Sequence, residues 1–451
     1  MTTTGQLLNI IPIKQASPLA PQRIAVIGSG AAGLGAAWAL SKHHRVTLYE
    51  ADRRLGGHSH TMTAPTAVGD VPVDTGFIVY NEVNYPNLVS MFAHLGVETS
   101  GSDMSFAVSI RDGQLEYSGT GMAGLFAQRR NVARPMYWRM VWDVLRFYRE
   151  MPLLLEREDL ESITLGKLLD RQGYSKYFRF NHLYPMAAAI WSMPVHKIEE
   201  FPAATFIRFY QQHGLLTVTG RPRWRTVTGG SQAYVRTIID DFGGDIRSGQ
   251  PVRTVTREAA GVRVKTDADE GVIYDQVVIA AHADQAYAML PAPTELERAV
   301  LGKFDYEKNA VILHGDSTLM PRRREVWSSW NYLSSGAEDV EGRLSVTYWM
   351  NRLQGLDARV PLFVTLNPLH QPSDDAVIAR LTYDHPSFDG KALAAQKRLP
   401  EVQGADRIWY CGSYFGYGFH EDAFTSGLNV ALALGAELPW LADRLAAAAV
   451  A

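Results

Sequence analysis

Residues Arg23-Ile24-Ala25-Val26-Ile27-Gly28-Ser29-Gly30-Ala31-Ala32-Gly33 join an apolar strand, a Gly-x-Gly-x-x-Gly turn and an Ala/Leu-rich helix in one run. The chemistry open to such a turn is phosphate binding. The first glycine permits the tight turn, the second lets the main chain approach a diphosphate, and the third lets helix and strand pack closely. The helix start, with Ser29 and Ala32 beside it, turns free N–H groups and a positive dipole end toward the phosphates. A second strand, Arg45 to Tyr49, ends on Glu50. That acid stands about 20 residues past the turn, where a carboxylate grips a ribose hydroxyl. Strand, turn, helix, strand and acid in this order predict a dinucleotide-binding βαβ unit and make a turn that binds nothing the weaker reading.

The run after the acid narrows the ligand. In Glu50-Ala51-Asp52-Arg53-Arg54-Leu55-Gly56-Gly57-His58 a Gly-Gly pair offers a second close backbone approach, and Arg54 offers a fork of donors to phosphate oxygens. Two phosphate-facing loops suit FAD, an extended dinucleotide, better than NAD. The run resembles the Glu-Ala-x-x-Arg-x-Gly-Gly-Arg fingerprint of the flavin-containing amine oxidase superfamily, which also holds phytoene desaturases and protoporphyrinogen oxidases. His58 stands where that family has Arg, which removes one expected contact to phosphate or flavin.

The resemblance continues along the chain and implies further cofactor residues. Val73-Asp74-Thr75-Gly76 resembles the family's Asp-x-Gly segment beside the flavin, which implicates Thr75 and Gly76. Thr228-Gly229-Gly230-Ser231-Gln232 resembles the loop that returns to the cofactor domain, and Val252 matches the residue whose main chain pairs with adenine. Asp406 to Ser413 looks like the family's C-terminal strand running into Ala-Gly-Glu, here Cys411-Gly412-Ser413. Gly418 to Gly427 is similar to the loop and helix N-terminus against the flavin ring, which implicates Phe419 and the main chain of His420. The His420 imidazole titrates near neutrality and can carry a proton, although packing is the stronger reading of it. Tyr414, Tyr417 and His420 are the candidate bases of this loop.

These residues need elements to hold them. At 451 residues the chain exceeds what one core usually holds. The expected architecture is α/β with an α+β substrate part: a discontinuous Rossmann-type FAD-binding domain over 23–100, 215–290 and 405–440, and an amine-oxidase-like substrate domain over 101–214 and 291–404. Within this, 101–214 reads as helical and aromatic, 262–264 and 272–274 as a hairpin, and Val277 to Ala280 as a buried strand. Residues 1–22 read as a flexible arm, since no basic start precedes Leu7 and Pro12 interrupts the apolar run, against a signal peptide. The alanine-rich end from Arg444 reads as a fraying helix. A net charge of −3 argues against nucleic-acid binding, and the single Cys411 excludes an internal disulfide and fits a reducing, cytoplasmic setting. No apolar run reaches the length of a membrane span.

Departures from the family pattern bear on the reaction. Amine oxidases of this family place a Lys on a substrate-domain strand. Asn309 occupies that place here, and Lys308, one residue off, falls on the opposite face. Phe419 replaces a Tyr that would flank an amine, and Ser413 replaces an acid. No second Gly-x-Gly-x-x-Gly unit follows, so the substrate itself is expected to reduce the flavin, with dioxygen or another acceptor reoxidising it. Arg129, Arg130, Arg134, Arg139, Arg146 and Arg149 are interleaved with Tyr137, Trp138, Trp142, Phe147 and Tyr148, and two shorter clusters follow at 221–225 and 322–327. Such clusters suit peripheral contact with an anionic membrane, or else a solvated helix face whose aromatics enter the core. Leu183 to Pro194 resembles the apolar cavity lining of phytoene-desaturase-like relatives. The whole pattern is similar to bacterial flavoproteins linked to cyclopropane-synthase-type lipid methyltransferases. The expected function is FAD-dependent dehydrogenation or isomerisation of an unsaturated or methyl-branched acyl chain, on a phospholipid. The alternatives are a flavin oxidase of small amines and a non-catalytic flavin-binding protein.

Overall fold

The computed structural model describes residues 20–155, 160, 163–191, 193, 195–336 and 345–441. Residues 1–19 of the expected arm and the alanine-rich end from Arg444 lie outside the described residues.

Five parallel strands form one sheet in the order Asp245–Arg247, Arg45–Tyr49, Arg23–Ile27, Gln276–Ile279 and Ile408–Tyr410. Both faces of this sheet are covered, which is why its central strands read as continuous apolar runs. Side chains alternate across it. Ile24, Val26 and Val278 pack with the helices Ala31–Ser41 and His420–Ala433 on one face. Ala25, Ile27, Val277 and Ile279 pack on the other face with an antiparallel meander, Val252–Glu258, Gly261–Thr266 and Val272–Tyr274. The two helices approach backbone to backbone: a Cβ on Gly427 would lie 2.0 Å from the Ala32 carbonyl oxygen, so only glycine permits the contact. Their N-termini thereby open on the same side of the sheet.

A seven-stranded sheet is the second large sheet of the molecule. Its order is Val377–Ser387, Asp305–His314, Phe363–Leu366, Ser345–Trp349, Trp330–Ser334, Phe106–Ile110 and Leu115–Ser118. Every pairing is antiparallel except Trp330–Ser334 with Phe106–Ile110. The helical reading of 101–214 is corrected at its start by this hairpin at 106–118. The hairpin turns through Arg111 and Asp112 at positive φ, 52° and 51°, which is not the usual Asn-Gly signal, and its edge partner is more than two hundred residues away. The remainder of that segment is helical, with Pro135–Leu154 and Ala203–Gln212 as its longest helices. No helix among the described residues is long and apolar enough to cross a membrane.

Candidate active site

The strand order reverses direction between Arg23–Ile27 and Gln276–Ile279, and their carboxyl ends open into a cavity of about 500 Å³. This is where open α/β sheets bind ligands. Of the residues expected at the cofactor, Gly28, Ser29, Gly30, Ala32, Glu50, Ala51, Gly57, His58, Thr75, Gly76, Val252, Gly412, Ser413, Phe419 and His420 all line this one cavity, as do Tyr414 and Tyr417. Gly33 and Arg54 do not. Gly33 lies at the strand–helix junction, where a Cβ would sit 1.8 Å from the Gly28 oxygen.

Arg54 corrects an expectation. Its guanidinium donates to the carbonyls of Leu55, Gly57 and Ser59 at 3.2, 2.8 and 3.2 Å. The fork is turned onto its own loop. Arg54 therefore shapes the second glycine loop, and Gly57 makes that loop's approach to the cavity. Glu50 is held as well: its Oε2 accepts from the Ser29 N–H at 2.8 Å and the Ser29 hydroxyl at 2.6 Å, while Oε1 accepts from the Asp52 N–H at 2.9 Å. The acid thus ties the second strand to the phosphate turn and keeps lone pairs for a ribose.

The C-terminal loop is equally constrained. Asp422 Oδ2 accepts from the N–H groups of Tyr417 and Phe419, each at 2.9 Å, which fixes the entry to helix His420–Ala433. The His420 ring stacks on Phe77 with centroids 3.9 Å apart, and its Nε2 meets the Tyr234 hydroxyl at 2.5 Å and the Ser59 hydroxyl at 3.1 Å. Burial pulls its pKa down to about 3, so the imidazole is neutral and tied. Tyr414 is buried among Phe304 and Phe415, its hydroxyl has no partner, and burial drives its pKa well up, which disqualifies it as a base near neutrality. Tyr417 packs edge-on against Phe209. Cys411 is fully buried with its thiol pKa pushed up, as an inert apolar residue would be.

Four lining residues were not legible as site residues in the sequence: His282, Tyr383, Asp384 and His385. Three of them converge on His58, whose ring lies 6.4, 4.9 and 5.7 Å from those of His282, Tyr383 and His385. His282 stacks on Tyr306 at 4.3 Å. Asn309 Nδ2 donates to the Glu307 carbonyl at 3.1 Å, which sets the amide's orientation, and so donates also to His385 Nδ1 at 2.9 Å. His385 is then the tautomer with its proton on Nε2. Burial lowers the pKa of all three histidines, that of His385 to about 4, so the cluster is neutral. His58 Nε2, His282 Nδ1 and Asp384 Oδ1 are buried without partners. His282 stands just past the strand Gln276–Ile279, the kind of position Gly28 and Glu50 occupy on theirs, and that placement could have flagged it. His385 has no local signal; the strand pairing of Val377–Ser387 with Asp305–His314 delivers it. Asn309 is buried and Lys308 exposed, on opposite faces of that strand as the spacing predicts.

Beyond that cluster the cavity wall is mainly apolar, with His213 stacked on Phe209 as an exception. Val311, Trp330, Tyr348, Val364 and Leu366 of the seven-stranded sheet face Ile190, Trp191, Phe209 and Leu215 of the helical part.

The residues present fit FAD. A Cβ on Gly30 would have nothing within 4 Å, so the turn presents open space where a diphosphate lies, and Gly57 abuts Gly30 to close the second side. The polar atoms left unpartnered in the cavity, His58 Nε2 among them, await a polar ligand.

Comparison with known proteins agrees. The family profile described as flavin containing amine oxidoreductase matches residues 31–308. A protein of Mycobacterium tuberculosis H37Rv, named as flavin-containing monoamine oxidase AofH, is 25% identical over 258 residues, 54% of this chain and 53% of the relative. The chain thus aligns with about half the length of that curated relative. Among solved structures, the CLA-producing fatty acid isomerase from P. acnes superposes with a TM-score of 0.67 at 16% identity, covering 92% of this chain and 99% of that one. Putrescine oxidase bound to putrescine gives 0.66 at 17% identity, covering 94% and 99%. Cyclohexylamine oxidase from Brevibacterium oxydans gives 0.61 at 14% identity, covering 92% and 99%. The fold and site define a dinucleotide-binding flavoprotein of the oxidoreductase class. The chain belongs to the flavin-containing amine oxidoreductase family, and its cofactor is FAD.

Proposed function

We propose that this flavoprotein dehydrogenates or isomerises an unsaturated or methyl-branched fatty acyl chain carried on a phospholipid. The observation that carries the reading is the apolar cavity wall. Around the space beyond the cofactor cradle, sheet and helices present aliphatic and aromatic side chains from Met104 to Leu366. Such a wall excludes water and holds an alkyl chain by burial alone. FAD, when bound, supplies a two-electron acceptor. The chain's own residues orient a C–H bond by packing it between Phe209 and the sheet. They also receive the proton that leaves the neighbouring carbon as the C=C bond forms. The neutral imidazole of His282, whose buried Nδ1 has no partner and whose charged form Asp284 and Asp384 favour, is the acceptor within the same cavity. The fatty acid isomerase with this fold lends the reading support.

One observation favours a second reading, oxidation of a small amine. Asp384 offers the cavity a carboxylate oxygen without a partner, which an ammonium group would satisfy, and several proteins of this fold act on amines by name.

Anaerobic flavin absorbance separates the readings. Phospholipids with unsaturated or methyl-branched chains, offered in detergent micelles, are expected to bleach the flavin band, and putrescine or cyclohexylamine are not. Bleaching by amines alone, abolished in Asp384→Asn, would establish the second reading. Silence with every lipid and amine would leave a flavin-binding protein without this chemistry.

A further inference from the structure

Three stretches far apart in sequence meet on one face. Helix Pro135–Leu154 buries Tyr137, Met140, Phe147 and Met151 against the core. Its outward stripe, charged on an ordinary surface helix, instead carries Trp138, Trp142 and Leu145 at i, i+4 and i+7, exposed by 47, 57 and 49%. Met122, Val132 and Met136, each more than half exposed, extend the patch toward the helix start. Most large hydrophobic residues on the described surface lie here or in the adjoining loop at Val218. An apolar patch of this kind marks an interaction surface.

Cations frame the patch on both flanks. Just before the helix a cleft of about 430 Å³ is lined by Arg130, Arg322 and Arg323, with Asp112, Gly113 and Gln114. Glu116, wholly buried, anchors Arg323 at 2.6 Å, and Arg130 donates to the Gln114 carbonyl. On the other flank Arg221 lies beside Tyr148 and donates to the Thr217 carbonyl at 3.0 Å. The same loop contributes His213 and Leu215 to the cavity wall. Along 129–150 six arginines face only Asp143 and Glu150, both already engaged by Arg139 and Arg146. Within 129–150 the arginines thus outnumber the acids by six to two.

We propose that this face docks on an anionic phospholipid bilayer. Trp138, Trp142 and Leu145 enter the headgroup layer, and the Arg130–Arg322–Arg323 cleft takes a headgroup phosphate. The loop at 213–223 then lies where an acyl chain leaves the bilayer for Leu215 and Phe209. That last step rests on the acyl-chain reading above; the docking itself does not. A second copy of the chain fits the face less well, because a two-fold contact sets the same arginines against one another.

Sedimentation of the flavin-loaded protein with vesicles tests the docking without turnover. Vesicles of phosphatidylcholine with phosphatidylglycerol are expected to bind the protein, and phosphatidylcholine alone to bind it weakly. Trp138→Ser with Trp142→Ser should lower partitioning about tenfold or more. Arg130→Ala and Arg322→Ala should each lower it about fivefold, an effect that salt diminishes. Equal binding to both vesicle types, or none, overturns the proposal. So does a dimer, seen by analytical ultracentrifugation, that the tryptophan variant dissolves. If vesicles bind but no lipid bleaches the flavin, the docking stands and the acyl-chain reading falls. If lipid in detergent bleaches the flavin while vesicles do not bind, the reverse holds.

Discussion

Gly30 carries the cofactor assignment at the scale of single residues. Its backbone, φ −66° and ψ −179°, is open to any residue, and a Cβ there would meet no protein atom within 4 Å. Gly30→Val is therefore expected to leave the fold intact while its side chain fills the diphosphate path. The variant should purify colourless after desalting, with an apoprotein thermal midpoint equal to that of apo wild type. Retention of full flavin would relocate the phosphate site. Gly33→Ala is the contrast: its Cβ would collide with the Gly28 carbonyl, so stability falls along with flavin content. Arg54 acts one step removed. Arg54→Leu deletes three charge-assisted bonds to loop carbonyls and should weaken FAD binding about tenfold or more, read by flavin release on dilution, with the fold retained.

Between elements, a buried acid joins two helices. Glu421, in the first turn of His420–Ala433, accepts from the Asn87 and Leu88 N–H groups at 2.8 and 3.0 Å and so caps Pro86–Leu95. Burial outweighs these donors and lifts its pKa from 4.5 to about 8. A raised folded-state pKa contributes stability that is whole below about pH 4.5 and is lost as pH climbs to about 8, because only the unfolded chain releases the proton in that window. The predicted loss is a few kcal/mol, roughly 3–5. Urea midpoints of the flavin-loaded protein between about pH 5 and about pH 9 should show that decline, and Glu421→Gln should flatten its upper half. A slope unchanged in the variant would assign it to other groups. What the sequence allowed at this scale follows from where the information lies. The βαβ turn, the strand Gln276–Ile279 and the meander are spelled by contiguous residues, and the structure has them. The hairpin at 106–118 and the imidazole cluster are set by partners hundreds of residues away, so local pattern could not show them. The glycine–phenylalanine loop was legible as a motif, yet the binding of the His420 imidazole by Ser59 and Tyr234 was not.

Across the whole molecule, the cofactor cradle and the apolar wall are separate constructions sharing one cavity. The cradle hangs on the parallel sheet, and the wall on the seven-stranded sheet and the helices facing it. Binding of FAD and choice of substrate should therefore be separable by mutation. Leu366 lies on the interior strand Phe363–Leu366, 3% exposed, in the cavity wall and outside every cofactor motif of the sequence. Leu366→Trp adds bulk at the apolar end alone. Overpacking there costs about 1–3 kcal/mol, which a core this large tolerates. The variant is expected to bind FAD as wild type does. Its anaerobic flavin reduction by long acyl chains should fall about tenfold or more, since a chain held an ångström out of place loses its near-attack geometry. Shorter chains, which need less of the wall, should lose less, so the ratio of long-chain to short-chain rates is the informative readout. A uniform loss at every chain length would mean that the wall does not hold the substrate. Full retention of long-chain reduction would move the acyl chain to another part of the cavity and leave the sheet face without a role in choosing it.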